Sequence, residues 1–169
     1  MSLDLGILVI RILFGLAMAA HGAQKLFGWF GGYGLKGTGG FFERLGFKPG
    51  VTFAAAAGLS ELGGGLLIAA GLLTPLGASG VLAAMLVAMI SVHMPNGFFA
   101  AGNGIELPFL YAVAALGIAF TGGGAYSLDT VLGWTFVNRT EVVSGILLLT
   151  VLGVAATLAL RRSAELVQQ

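Results

Sequence analysis

The chain has 169 residues, 57% hydrophobic and 9% charged, against roughly 25% charged in an ordinary globular domain. Eight Lys or Arg and seven Asp or Glu cannot cover a soluble fold of this size, so the composition specifies an integral membrane protein. A net charge of +1 excludes a DNA or RNA reader, and the absence of cysteine excludes thiol, disulfide, iron-sulfur and thioether-haem chemistry carried by the chain itself.

A helix needs about 20 apolar residues to cross the hydrocarbon layer, and five stretches approach this. The first runs from about Leu5 to Phe30 and is interrupted by Arg11, His21 and Lys25. The second, about Val51 to Leu73, carries one charge, Glu61. The third, Pro75 to Met94, is charge-free and ends at His93, Met94 and Pro95. The fourth runs from Glu106 to about Phe120, before a glycine triplet at Gly122 to Gly124. The fifth, Val142 to Leu160, is uncharged throughout and closed by Arg161 and Arg162.

Between the spans, residues 31 to 50 are rich in Gly with aromatic and basic residues, and Gly39 to Phe47 suits a short interfacial helix. Residues 122 to 140, with Tyr126, Asp129 and Trp134, suit a second interfacial segment. Small residues inside the spans, such as Gly63, Gly64 and Gly65, allow close helix approach. The start is not a cleaved signal peptide by pattern: Asp4 precedes the apolar run and Arg11 breaks it. With five spans, Lys25, Lys36, Arg44 and Lys48 share a side with Arg161 and Arg162. The excess of basic residues makes that side cytoplasmic, with Met1 outside.

Ionisable groups at membrane depth are costly and ask for a reason. Six qualify: Arg11, His21, Lys25, Glu61, His93 and Glu106. Odd spans end, and even spans begin, on one face of the membrane, so His21, Lys25, His93 and Glu106 belong to one half of the bilayer. Glu61 lies about 15 Å into its span. These five form a polar funnel from one surface, whereas Arg11 lies toward the opposite face. Arg11, Met18, His21 and Lys25 fall within a sector of roughly 80° on the first helix. Met85, Met89 and His93 share a face at i, i+4, i+8 spacing.

Each of these residues also has a purely structural reading. Arg11 and Lys25 can extend to headgroups, Glu106 can complement a helix N-terminus, Met85 and Met89 are packing residues, and the histidines can be satisfied core groups. Glu61 resists such a reading unless a cation pairs with it, because it is too short to reach water from mid-membrane. Two motif matches fail on context. Gly32, Gly34 and Gly37 spell a dinucleotide fingerprint without the strand it requires, and Asn138-Arg139-Thr140 is a glycosylation sequon by letters only. No metal site is assigned: Lys25 would compete with a cation for the carboxylates.

Arg11, HGAQKLFGWFGG (His21 to Gly32), GLSELGGGLLIAAGLLT (Gly58 to Thr74), SVHMPNGFF (Ser91 to Phe99), GNGIELPF (Gly102 to Phe109) and GGGAYSLD (Gly122 to Asp129) together resemble the DoxX family of small bacterial membrane proteins. The resemblance implies an all-α fold: a four-helix transmembrane bundle over residues 1–130 in the bacterial inner membrane, associated with quinone-linked complexes and oxidative-stress enzymes. Residues 131–169 depart from that pattern by adding an interfacial segment, a fifth C-terminal transmembrane helix and a short polar tail.

Three functions follow as expectations. The first is a redox-associated subunit whose pocket of His21, Lys25, Glu61, His93 and Glu106 binds a quinone headgroup or relays its protons, with electrons supplied by a partner membrane or redox protein. The second is a non-catalytic assembly or anchoring subunit, including a homo-oligomer, in which buried ion pairs fix helix register. The third is a small-solute or proton transporter; the short chain lacks the internal repeats common in transporters. No residue is assigned a catalytic role and no covalent cofactor is expected.

Overall fold

The computed structural model describes residues 2–162. Among them are seven α-helices: α1 (Ser2–Phe27), α2 (Gly34–Arg44), α3 (Gly50–Ala70), α4 (Thr74–Ala88), α5 (Glu106–Thr121), α6 (Leu128–Val131) and α7 (Thr140–Ala159). The path of α4 continues through a π turn, Met89–His93, into a 3-10 turn, Met94–Asn96. Met1 and the polar tail beyond Arg162 lie outside the described residues.

Among the described residues four helices are long and apolar enough to cross a membrane: α1, α3, α4 with its extension, and α7. The chain is an all-α, multi-pass membrane protein. α5 is equally apolar but has 16 residues, which gives about 24 Å against roughly 30 Å of hydrocarbon. The loop before it folds back on itself, with Ile105 N–H donating to Gly97 O at 3.0 Å and Glu106 N–H to Phe98 O at 2.8 Å. Its backbone polar groups are thereby paired internally, as an apolar setting demands.

Close glycine contacts set the helix order. A Cβ on Gly15 would come within 2.5 Å of Gly65 O, and one on Gly22 would collide with Leu62 and Gly58. Early α1 residues therefore meet late α3 residues, and the two helices run antiparallel with backbones nearly touching. α4 returns beside α3 through Gly64 and Gly77. Met18, Ile68, Ala78, Val81, Leu82, Met85, Ala112, Ala115, Ile118, Ala119 and Val143 form one buried cluster that ties together α1, α3, α4, α5 and α7. The outer faces are apolar too: Leu148, Leu149, Val151 and Leu152 of α7 are each more than half exposed, as lipid-facing positions should be.

The first membrane helix ends at Phe27, three residues before the sequence-based limit, because Gly28 adopts a left-handed φ of 75°. The interfacial helix begins at Gly34 rather than Gly39. It lies over the ends of α1 and α3: Thr38 Oγ1 donates to Lys25 O at 3.4 Å, and Gly50 N–H donates to Glu43 Oε1 at 3.2 Å. α7 finishes against the same loop, with Arg161 Nε donating to Leu45 O at 2.6 Å and Arg162 N–H to Gly46 O at 2.9 Å. Lys36, Arg44, Lys48, Arg161 and Arg162 thus occupy one end of the bundle.

Candidate functional site

Glu61 sits at the eleventh position after Gly50 on α3, roughly 16 Å along the helix, and is 2% exposed. A carboxylate at that depth requires a counter-charge. The Lys25 ammonium supplies it, donating to Glu61 Oε2 in a direct ion pair. Their meeting depends on the offset between α1 and α3. Gly58 packs against the side chains of Lys25 and Leu26, so the last turn of α1 lies beside the middle of α3 rather than its start. Lys25 remains 28% exposed, and an ammonium has three donors, which leaves donor capacity beyond the pair.

Two cavities meet at this pair. One of about 250 Å³ is lined by Met18, His21, Met85, Leu107, Pro108 and Tyr111 from α1, α4 and α5. The other, about 740 Å³, extends between α2, α3, α4 and α7 and is lined by Phe41, Phe42, Phe47, Phe53, Val87, Gly153 and Val154 among others. Lys25, Glu61, Ala88 and His93 line both. The rings of His21 and Tyr111 are 5.9 Å apart and tilted by 53°.

His93 ends the π turn, and its Nδ1 is 2.8 Å from Asn103 O. A carbonyl can only accept, so Nδ1 carries the proton and Nε2 is the free position of a ring that borders both cavities. The π turn also alters the expected face. In a regular α-helix three successive residues spread over about 200°, yet Ser91, Val92 and His93 all line the larger cavity. Met85 and His93 nevertheless both line the smaller cavity, whereas Met89, where the π turn begins, packs against the buried cluster.

The DoxX family model matches residues 6–94, the segment that carries Arg11, His21, Lys25, Glu61 and His93. The chain belongs to the DoxX family. A protein of Bacillus subtilis (strain 168), described as "Putative oxidoreductase CatD", is 32% identical over 130 residues, covering 76% of this chain and 87% of that relative. No solved structure matches.

Of the six residues singled out in the DoxX chain, His21, Lys25, Glu61 and His93 come together around the smaller cavity. Glu106 does not join them. Its Oε2 accepts the Ala100 N–H at 2.8 Å and closes the loop before α5, because a carboxylate at a helix start is captured most readily by nearby backbone donors. Arg11 lies toward the other end, 1% exposed. It donates from Nη1 to Ile68 O and Ala69 O at 3.2 and 3.0 Å, and from Nη2 to Tyr126 O at 2.7 Å.

Near Arg11, and within its Coulombic reach, lies Asp129, a residue that sequence reasoning placed at the interface but that is fully buried. Its carboxylate accepts from Leu73 N–H at 2.7 Å, Thr74 N–H at 3.0 Å and Thr74 Oγ1 at 2.8 Å. It thereby satisfies the start of α4 and holds Leu73 at a φ of 46°. The available signal was Arg11 itself: a cation at that depth asks for an acid at the same end of the bundle. Tyr111, Asn103 and Ser91 were also missed, since no spacing rule ties them to His21 or His93. Among the described residues no group of three His, Cys, Asp or Glu is placed to hold a metal ion.

Proposed function

We propose that this DoxX protein is a redox-associated subunit of the bacterial inner membrane that binds a quinone ring beside Lys25 and Glu61. The observation carrying this reading is a buried carboxylate paired with a partly exposed lysine in the wall shared by two cavities. Lys25 is oriented by Glu61 and retains donors for a ring oxygen. His93, with its Nδ1 held by Asn103 O, offers Nε2 for proton exchange with that ring. His21 and Tyr111 line the smaller cavity with ring side chains against which it can pack. The larger cavity, about 740 Å³, falls within the range common for ligand chambers, about 300–1,000 Å³, mostly apolar with a few placed polar atoms.

A quinone, when bound, supplies coupled electron and proton chemistry. The chain's own residues bind and orient the ring, hold a proton at Lys25 Nζ and can accept one at His93 Nε2; a partner redox protein supplies electrons. The word oxidoreductase in the description of the CatD relative supports the same class. Six of the eight Lys and Arg residues, Lys25, Lys36, Arg44, Lys48, Arg161 and Arg162, lie at the ion-pair end, which supports a cytoplasmic placement of that end. The test is binding of ubiquinone or menaquinone to the protein in lipid nanodiscs, followed by quinone-dependent respiration in cells. Binding that weakens at least about tenfold in Glu61→Gln supports the proposal. Absence of binding to either quinone, with respiration unchanged by the substitution, overturns it.

A further inference from the structure

We infer that the larger cavity is a tail chamber, so that the ligand class is an uncharged, membrane-borne quinone bearing a prenyl chain. This rests on the headgroup reading above and extends it to the whole ligand. The smaller cavity, about 250 Å³, has room for a ring and little more. From the shared residues Glu61 and His93 the larger one continues for about 740 Å³ toward α7. Beyond the ion pair its walls are dominated by aromatic and aliphatic side chains.

The hydroxyls on the α7 wall make no demand on a ligand. Thr150 Oγ1 donates to Ile146 O and Thr157 Oγ1 to Gly153 O, both at 2.8 Å, so that wall offers an apolar surface. Charge also selects the class: Lys25 and Glu61 cancel, and an anionic or cationic tail would meet no counter-charge in the chamber. The α7 wall also borders lipid on its other side, since α7 is the least buried of the crossing helices, with Val143 and Val154 its buried residues.

The experiment compares a benzoquinone carrying two prenyl units with the same headgroup lacking them, using the full protein in nanodiscs. It is repeated on Gly153→Leu, where an added Cβ meets nothing within 4 Å, and on Ala56→Leu from the facing α3 wall. The prenylated compound should bind the unaltered protein at least about tenfold tighter. Filling the chamber should remove that advantage and leave the bare headgroup's affinity unchanged. Comparison across variants cancels the ordinary partitioning of a tail into lipid. Equal loss for both compounds, or retention of the advantage in both filled variants, overturns the tail chamber while leaving the headgroup site standing. Failure of both compounds to bind the unaltered protein overturns the headgroup reading itself.

Discussion

Arg11 and Lys25 lie on the same helix and each carries a positive charge into apolar surroundings, yet only Lys25 lines the two cavities. Arg11 is 1% exposed and spends its guanidinium on three carbonyls from α3 and the segment before α6, with Asp129 close by. The planar fork suits such fixed acceptors, and the glycine at position 71 leaves room for it: a Cβ there would strike the guanidinium. Lys25 has one side-chain partner, Glu61, and keeps part of its surface open. Similar charges at opposite ends of one bundle therefore serve different purposes. One cluster is closed and holds α1, α3, α4 and the α6 segment in register, whereas the other borders two cavities.

The largest effect expected from breaking this contrast is at the closed end. Arg11→Met should lower stability by about 3 kcal/mol or more, because it removes the guanidinium's three hydrogen bonds and leaves the buried Asp129 without its cation; thermal unfolding in detergent measures it, and an unchanged midpoint would remove the lock. Gly71→Ala should cost about 2 kcal/mol by the same assay, since φ is 66° there and the new methyl meets Arg11. Asp129→Asn should cost about 1–2 kcal/mol through a weakened cap on α4.

At the open end the balance should reverse. Glu61→Gln should cost only about 1 kcal/mol of stability, since Lys25 can turn toward the cavities, while quinone affinity falls at least about tenfold. Destabilisation as great as that of Arg11→Met would make the pair a second lock. Tyr111→Phe, which keeps the ring beside His21, should change stability by less than about 0.5 kcal/mol and quinone affinity by a few-fold at most.

The polar residues show how far the chain could be read without coordinates. Glu61 announced itself because a short acid at mid-membrane has no route to water, and Lys25 was a candidate partner because antiparallel threading placed it in the same half of the bilayer. Glu106 met the same threading criterion and still turned away, because backbone donors in its own loop were nearer. Asp129 was legible as a polar residue but not as a buried one. Its burial depends on how the segment after α5 folds back to the start of α4, a contact between residues 55 positions apart. The π turn at Met89–His93 was invisible to periodicity, which assumes the regular step that the turn interrupts.

From sequence alone came the membrane setting, the all-helical class, the apolar segments and the short set of ionisable groups that required an explanation. These follow from composition and from the cost of burying charge or unpaired backbone, which act residue by residue. Tertiary structure decided that Lys25 and not Arg11 pairs with Glu61, that His93 and Tyr111 share a cavity, and that α7 closes a chamber beside them. Those outcomes depend on the axial offset between helices and on loops returning over long distances. Both are set by close packing of side chains that no local pattern records.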